Sequence, residues 1–105
     1  MKVLIDHCLD WRLIRYLPGY DVQHTGKLGW GGLKNGALLR KAEECGFEVF
    51  VTSDKNLQFQ QNIRKVKLAI VVLDVVSNRL EHCVPKCSLL VSQLADIKPG
   101  TLTVL

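Results

Sequence analysis

The chain has 105 residues, of which 48% are hydrophobic and 23% charged, and its formal net charge is +4. This length predicts a single domain with one hydrophobic core that needs no disulfides, and the composition is that of an ordinary globular protein. The longest apolar run, residues 68–73, is too short for a transmembrane helix, which needs about 20 residues. With no signal-peptide pattern at the start, we expect a cytoplasmic protein. The small positive charge does not by itself indicate nucleic-acid binding.

The start of the chain predicts a strand, a helix and a second strand. Residues 2–6, KVLID, form a short apolar run with the length of a buried strand. The apolar spacing of residues 8–17 predicts a helix, which a Pro-Gly pair ends. Residues 20–25, YDVQHT, predict a weaker strand.

A glycine-rich segment, residues 26–36, indicates a loop before the second helix. Asn35 is a suitable N-cap for a helix over residues 36–45, and a glycine follows that helix. Residues 47–52, FEVFVT, are rich in β-branched and aromatic side chains and predict the third strand.

The remainder of the chain predicts two helices and two strands. Residues 56–63 predict a short, amide-rich helix, and residues 66–74 are continuously apolar, as expected of a strand buried on both faces. Residues 78–97 predict a helix that is kinked or restarted at Pro85, and residues 101–105 predict a last strand. Strands that alternate with helices predict an α/β fold, in which a mainly parallel sheet of about five strands has helices on both faces.

Carboxylates follow three of the predicted strands. Asp6 and Asp74 close the first and fourth strands, and Asp54 follows the third. Ligands of open α/β sheets bind beyond the carboxyl ends of the strands, where clustered carboxylates suit a hard cation such as Mg²⁺ or Mn²⁺. Such a cation can hold a phosphate and activate a water. A single aspartate after a strand is more often a turn former or a helix cap. Three at one sheet edge weaken that interpretation, but for Asp74 we still favour the structural role. His7 is a candidate ligand, general base, phosphate contact or capping group.

The cysteines have two interpretations. Cys83 and Cys87, with His82 beside them, raise the possibility of a zinc site, but no Cys-x-x-Cys pair is present. Both thiols lie on one apolar helical stripe, so we predict that they are small core side chains. All four cysteines are expected to be unpaired.

Two further features have both a functional and a structural interpretation. Trp30 is able to stack on a base, but packing of its ring against the core is the favoured prediction. Arg64, Lys65 and Lys67 form the densest basic cluster, which attracts phosphate or is simply a solvated face.

Five segments carry a resemblance that covers almost the whole chain: LIDHCL, LPGYDV, LGWGGLKNGALL, GFEVFVTSDKNLQFQQN and IVVLDVVSNRLE. Through them the chain resembles the PIN-like domains of bacterial proteins related to toxin–antitoxin ribonucleases. The most specific element is Thr52-Ser53-Asp54. The resemblance implies an endoribonuclease dependent on Mg²⁺ or Mn²⁺, with Asp6 and Asp54 as its catalytic and metal-binding residues. It also implies a toxin component with RNA, a small antitoxin protein or a second copy of the chain as partners.

Three positions depart from the acidic pattern of that family. His7 stands where the family often has Glu, Asn35 opens a helix that usually opens with an acid, and Asn56 replaces the second acid of the loop after the third strand. These three residues are candidate substrate contacts, and the acidic site is partly degenerate. The alternative is therefore a non-catalytic module that binds RNA or a protein. A receiver-like phosphoacceptor ranks last, because His7 breaks the expected acid pair and no lysine follows the last strand.

Overall fold

The computed structural model describes residues 1–59 and 66–105, and these contain a sheet of five strands. The strands are Lys2–Ile5 (β1), Asp21–His24 (β2), Val49–Thr52 (β3), Ala69–Val72 (β4) and Leu102–Val104 (β5). Their order is β2-β1-β3-β4-β5, and all neighbouring strands are parallel. The predicted α/β class and five-stranded sheet are confirmed.

The described residues form two α-helices and two 3₁₀ helices. The α-helices are Asn35–Glu44 (α1) and Leu80–Leu94 (α2), and the 3₁₀ helices are Trp11–Tyr16 and Lys55–Phe59. The helix predicted over residues 8–17 is shorter than expected, because Asp10 caps it by accepting the Arg12 backbone N–H at 2.9 Å. For the helix predicted over residues 56–63, residues 60–63 lie outside the described part of the chain.

Both α-helices differ from the sequence prediction at one point. Asn35 is not the N-cap of α1 but its first residue, because the Leu38 N–H already bonds to the Lys34 carbonyl at 2.7 Å. Cys45 lies just beyond the end of α1 and is exposed. Helix α2 continues through Pro85, so of the two predicted alternatives, a kink or a restart, the restart is wrong.

The core occupies both faces of the sheet. On one face, Val3, Ile5 and their neighbours pack with α2 and the first 3₁₀ helix, and on the other, Leu4 and Phe50 pack with α1. All residues of β3 and β4 are buried, which explains the continuous hydrophobicity of these segments. Within the described ranges, no helix has the length and apolar character needed to cross a membrane.

The strand order places a topological switch point between β1 and β3. The chain leaves β1 for β2 on one side of the sheet and continues through β3, β4 and β5 on the other. The connections therefore diverge between the carboxyl ends of β1 and β3, which is where open α/β sheets bind their ligands.

Candidate functional site

A polar cleft of about 360 Å³ opens at the carboxyl ends of β1 and β3. It is lined by Asp6, His7, Cys8, Leu33, Asn35, Leu38, Ser53, Asp54 and Asn78. Both carboxylates predicted at strand ends thus reach one cleft, and this cleft lies at the switch point.

Asp6 is only 8% exposed, and several protein groups contact its polar atoms. Its backbone N–H continues the β1–β3 ladder to the Val51 carbonyl at 2.9 Å. Its Oδ2 accepts the Thr52 hydroxyl at 2.8 Å, and its Oδ1 lies 3.1 Å from Nδ1 of His7. The hydrogen bonds from the Thr52 hydroxyl and the Cys8 thiol, together with the nearby His7 ring, compensate the carboxylate for its loss of solvent.

Thr52 links the two strand ends. Its side chain is fully buried, and its Oγ1 donates to Asp6 while accepting the Asp54 backbone N–H at 3.1 Å. Asp54 in turn accepts the Asn56 backbone N–H at 3.0 Å through Oδ1. The Thr52-Ser53-Asp54 element is therefore a hydrogen-bonded turn that positions both carboxylates.

Three residues of this cleft, Cys8, Ser53 and Asn78, were not predicted from the sequence. The Cys8 thiol lies 3.4 Å from Oδ2 of Asp6 and 3.3 Å from Oγ of Ser53. Ser53 donates to Oδ1 of Asn78 at 2.5 Å. Cys8 and Ser53 were detectable as neighbours of strand-end residues, whereas no local signal marks Asn78, which lies in the connection between β4 and α2.

The other predicted site residues are distributed unevenly. His7 and Asn35 line the cleft with the two aspartates. Asn56 is exposed and absent from the lining, and its contact with Asp54 is through the backbone. Asp74 is outside the lining as well, and it pairs with Lys55 at 2.6 Å, which lowers the pKa of this exposed carboxyl group.

The donor atoms of the cleft fit a hard divalent cation. They are carboxylate oxygens of Asp6 and Asp54 and amide oxygens of Asn35 and Asn78, and Mg²⁺ and Mn²⁺ prefer such ligands. Oδ2 of Asp54 makes no hydrogen bond with the described residues. Nowhere in those residues do three or more His, Cys, Asp or Glu side chains form a group able to hold a metal. The acidic part of the donor set is thus limited to two carboxylates.

The thiols are unpaired, as predicted. Cys83 and Cys87 are buried in the core, and burial raises the pKa of both, that of Cys87 to about 11. His82 instead contacts the Ser77 hydroxyl through Nδ1 at 2.5 Å. The thiols of α2 are therefore core side chains.

Trp30 packs on the core, as predicted. Its ring meets Phe47 edge-on, with the ring centroids 6.0 Å apart. Of the basic cluster, Arg64 and Lys65 lie outside the described residues.

The fold and the cleft together define an α/β protein whose parallel sheet carries a polar, carboxylate-bearing cleft at its switch point. Comparisons of the chain with protein-family models, curated proteins and solved structures found no match. The inference of function therefore depends on the cleft and on the resemblance noted in the sequence.

Proposed function

We propose that this chain is a PIN-like, metal-dependent endoribonuclease of low activity, in which Asp6 and Asp54 hold one Mg²⁺ or Mn²⁺. The observation that carries the proposal is the meeting of these two carboxylates in one cleft at the switch point of the sheet. The resemblance to PIN-like domains supports RNA as the substrate, and the cytoplasmic location stays an expectation from the sequence.

The residues of the cleft have distinct proposed roles. A bound cation would neutralise charge on the phosphodiester and lower the pKa of an attacking water. His7 is 52% exposed, and its Nδ1 faces Asp6, so its other ring nitrogen is available to a phosphate or to a proton in transfer. The side-chain amides of Asn35 and Asn78 are able to donate to phosphate oxygens.

The low activity follows from the small number of carboxylates. Cation affinity rises with the charge of the ligands, and two carboxylates supply less charge than the larger acidic clusters of active nucleases. Protein groups also contact both oxygens of Asp6: Oδ2 accepts from the Thr52 hydroxyl and the Cys8 thiol, and Oδ1 lies 3.1 Å from Nδ1 of His7. A cation must therefore compete with these contacts or add to them.

The same contacts of Asp6 favour a second candidate, a module that binds RNA or a protein without cutting RNA. In that case the hydrogen bonds of Asp6 hold the strand ends together, and the cleft contacts its ligand through neutral groups. The toxin role, the antitoxin partner and a homodimer are predictions of the resemblance alone.

Mn²⁺ titration and cleavage of single-stranded RNA separate these candidates. We expect weak, saturable Mn²⁺ binding and slow Mn²⁺-dependent cleavage, and Asp54→Asn should abolish both. Asp96→Asn is the matched control, because Asp96 is exposed beyond the end of α2, at the end of the sheet opposite the cleft. If Asp54→Asn bound Mn²⁺ as tightly as the wild type does, the proposed metal site at Asp6 and Asp54 would be excluded. Mn²⁺ binding without cleavage would favour the non-catalytic module.

A further inference from the structure

Two cationic side chains lie over the ring of an exposed tryptophan. Trp11 begins the first 3₁₀ helix and is 42% exposed. The Lys27 ammonium lies 4.8 Å from the centroid of its ring, and the Arg15 guanidinium lies 5.4 Å from it. The three side chains come from two separate segments, so the tertiary structure brings them together.

The positive charge of this patch is not neutralised within the described residues. Neither Lys27 nor Arg15 makes a salt bridge there. The nearest acid along the chain, Asp10, is engaged by Arg12, which donates to its two oxygens at 3.0 and 2.7 Å. An aromatic face with unneutralised cations is the combination that proteins use to bind single-stranded nucleic acid.

The two segments that carry this patch adjoin Asp6 and His7 of the cleft. His7 separates Asp6 from the turn that leads to Trp11, in which the Leu9 N–H bonds to the Asp6 carbonyl at 3.0 Å. The loop that carries Lys27 rests against His7, since a Cβ built on Gly26 would lie 3.5 Å from the Cβ of His7. An RNA strand that left the cleft past His7 would therefore pass the segments that carry this patch.

We propose that Trp11, Lys27 and Arg15 form a platform for one nucleotide of single-stranded RNA that flanks the phosphate in the cleft. The base stacks on the indole of Trp11, and the two flexible, exposed cations move from the ring to the adjacent phosphates. The inference rests on the proposed function for its ligand, RNA, but it does not require the cation at Asp6 and Asp54.

The test measures fluorescence anisotropy of 5′-fluorescein-labelled decauridylate at low salt, with EDTA present. Trp11→Ala should weaken binding roughly 5- to 150-fold, the range reported for loss of one base–aromatic stack. Trp11→Phe should retain most of the affinity, because its ring still stacks. Addition of unlabelled RNA should quench tryptophan fluorescence in the wild type and not in Trp11→Ala.

Two lysine variants test the charge at the patch. Lys27→Gln should reduce the slope of log affinity against log salt by about 0.7, the value for one phosphate contact on a single strand. Lys98→Gln is the matched control, because Lys98 is exposed in the connection between α2 and β5, at the other edge of the sheet. It should leave affinity and slope unchanged.

Any of three results would overturn the platform. The first is a wild type that binds no RNA. The second is wild-type affinity for RNA in both Trp11→Ala and Lys27→Gln, and the third is an equal loss of affinity in Lys27→Gln and Lys98→Gln. A duplex RNA competitor that displaces the probe as well as a single strand does would also exclude stacking. EDTA removes divalent cations, so this result is independent of the Mn²⁺ experiment. Failure of Mn²⁺ binding with a positive result here would leave an RNA-binding module.

Discussion

Thr52→Val should destabilise the protein, although the two side chains are nearly the same size. The substitution removes the hydroxyl that donates to Asp6 at 2.8 Å and accepts from the Asp54 N–H at 3.1 Å. A hydrogen bond to a charged group contributes about 1.5–3 kcal/mol, and an unpaired buried donor costs about 1–3 kcal/mol. In the variant, Asp6 keeps its contact with His7, and the Asp54 N–H is only partly buried. We therefore expect the free energy of unfolding to fall by about 2–3 kcal/mol.

Urea unfolding followed by circular dichroism measures this change. Thr103→Val is the matched control, because Thr103 also lies in a strand but its hydroxyl makes no hydrogen bond with the described residues. The control should change the free energy of unfolding by less than about 0.5 kcal/mol. Thr52→Ser keeps the hydroxyl, so its free energy of unfolding should lie between those of Thr52→Val and Thr103→Val. If Thr52→Val and Thr103→Val were equally stable, Thr52 would not link the two strand ends energetically.

Three further predictions concern the cleft, a core thiol and a loop. Asn35→Asp adds a carboxylate to the cleft and should tighten Mn²⁺ binding and raise cleavage, whereas Gln93→Glu, at an exposed site of α2, should change neither. Burial raises the pKa of Cys87 from 9.0 to about 11, so the unfolded chain loses this proton before the folded protein does. Stability should therefore fall between about pH 9 and 11, and Cys87→Ala should remove that part of the fall. Gly26→Ala should cost about 1 kcal/mol, because its Cβ would lie 3.1 Å from two ring atoms of His24.

Each of these predictions has a result that contradicts it. Lower activity in Asn35→Asp would mean that the neutral amide is a working part of the site and not a lost acid. If the stability of Cys87→Ala fell as steeply with rising pH as that of the wild type, groups other than Cys87 would cause the loss of stability. A fully stable Gly26→Ala would show that the His24 ring moves freely, despite its bond to the Leu9 carbonyl at 2.8 Å.

The buried His24 ring was not identified from the sequence. The Gly26 N–H donates to Nδ1 at 3.2 Å, so Nδ1 is the acceptor and Nε2 carries the proton that is donated to the Leu9 carbonyl. The ring thus fastens the turn after β1 to the end of β2. A histidine within a weak strand has no local signal for this role, because both partners come from the folded loop geometry.

The sequence by itself determined the class of fold and the strand ends. The uninterrupted apolar residues of β3 and β4 predicted strands buried on both faces, and their alternation with amphipathic segments predicted a parallel sheet. These signals are local, because the spacing of apolar side chains records which face of an element is buried. For the same reason, the sequence placed Asp6 and Asp54 at strand ends.

Only the tertiary structure decided which strand ends meet. The order β2-β1-β3-β4-β5 puts Asp6 beside Thr52 and Asp54, leaves Asp74 with Lys55, and brings Asn78 into the cleft. The order of strands depends on where each crossover packs, which is a property of contacts between distant segments and leaves no periodic trace in the chain. The pairing of Trp11 with Lys27 has the same origin, since neither residue's local pattern indicates its neighbour in the fold.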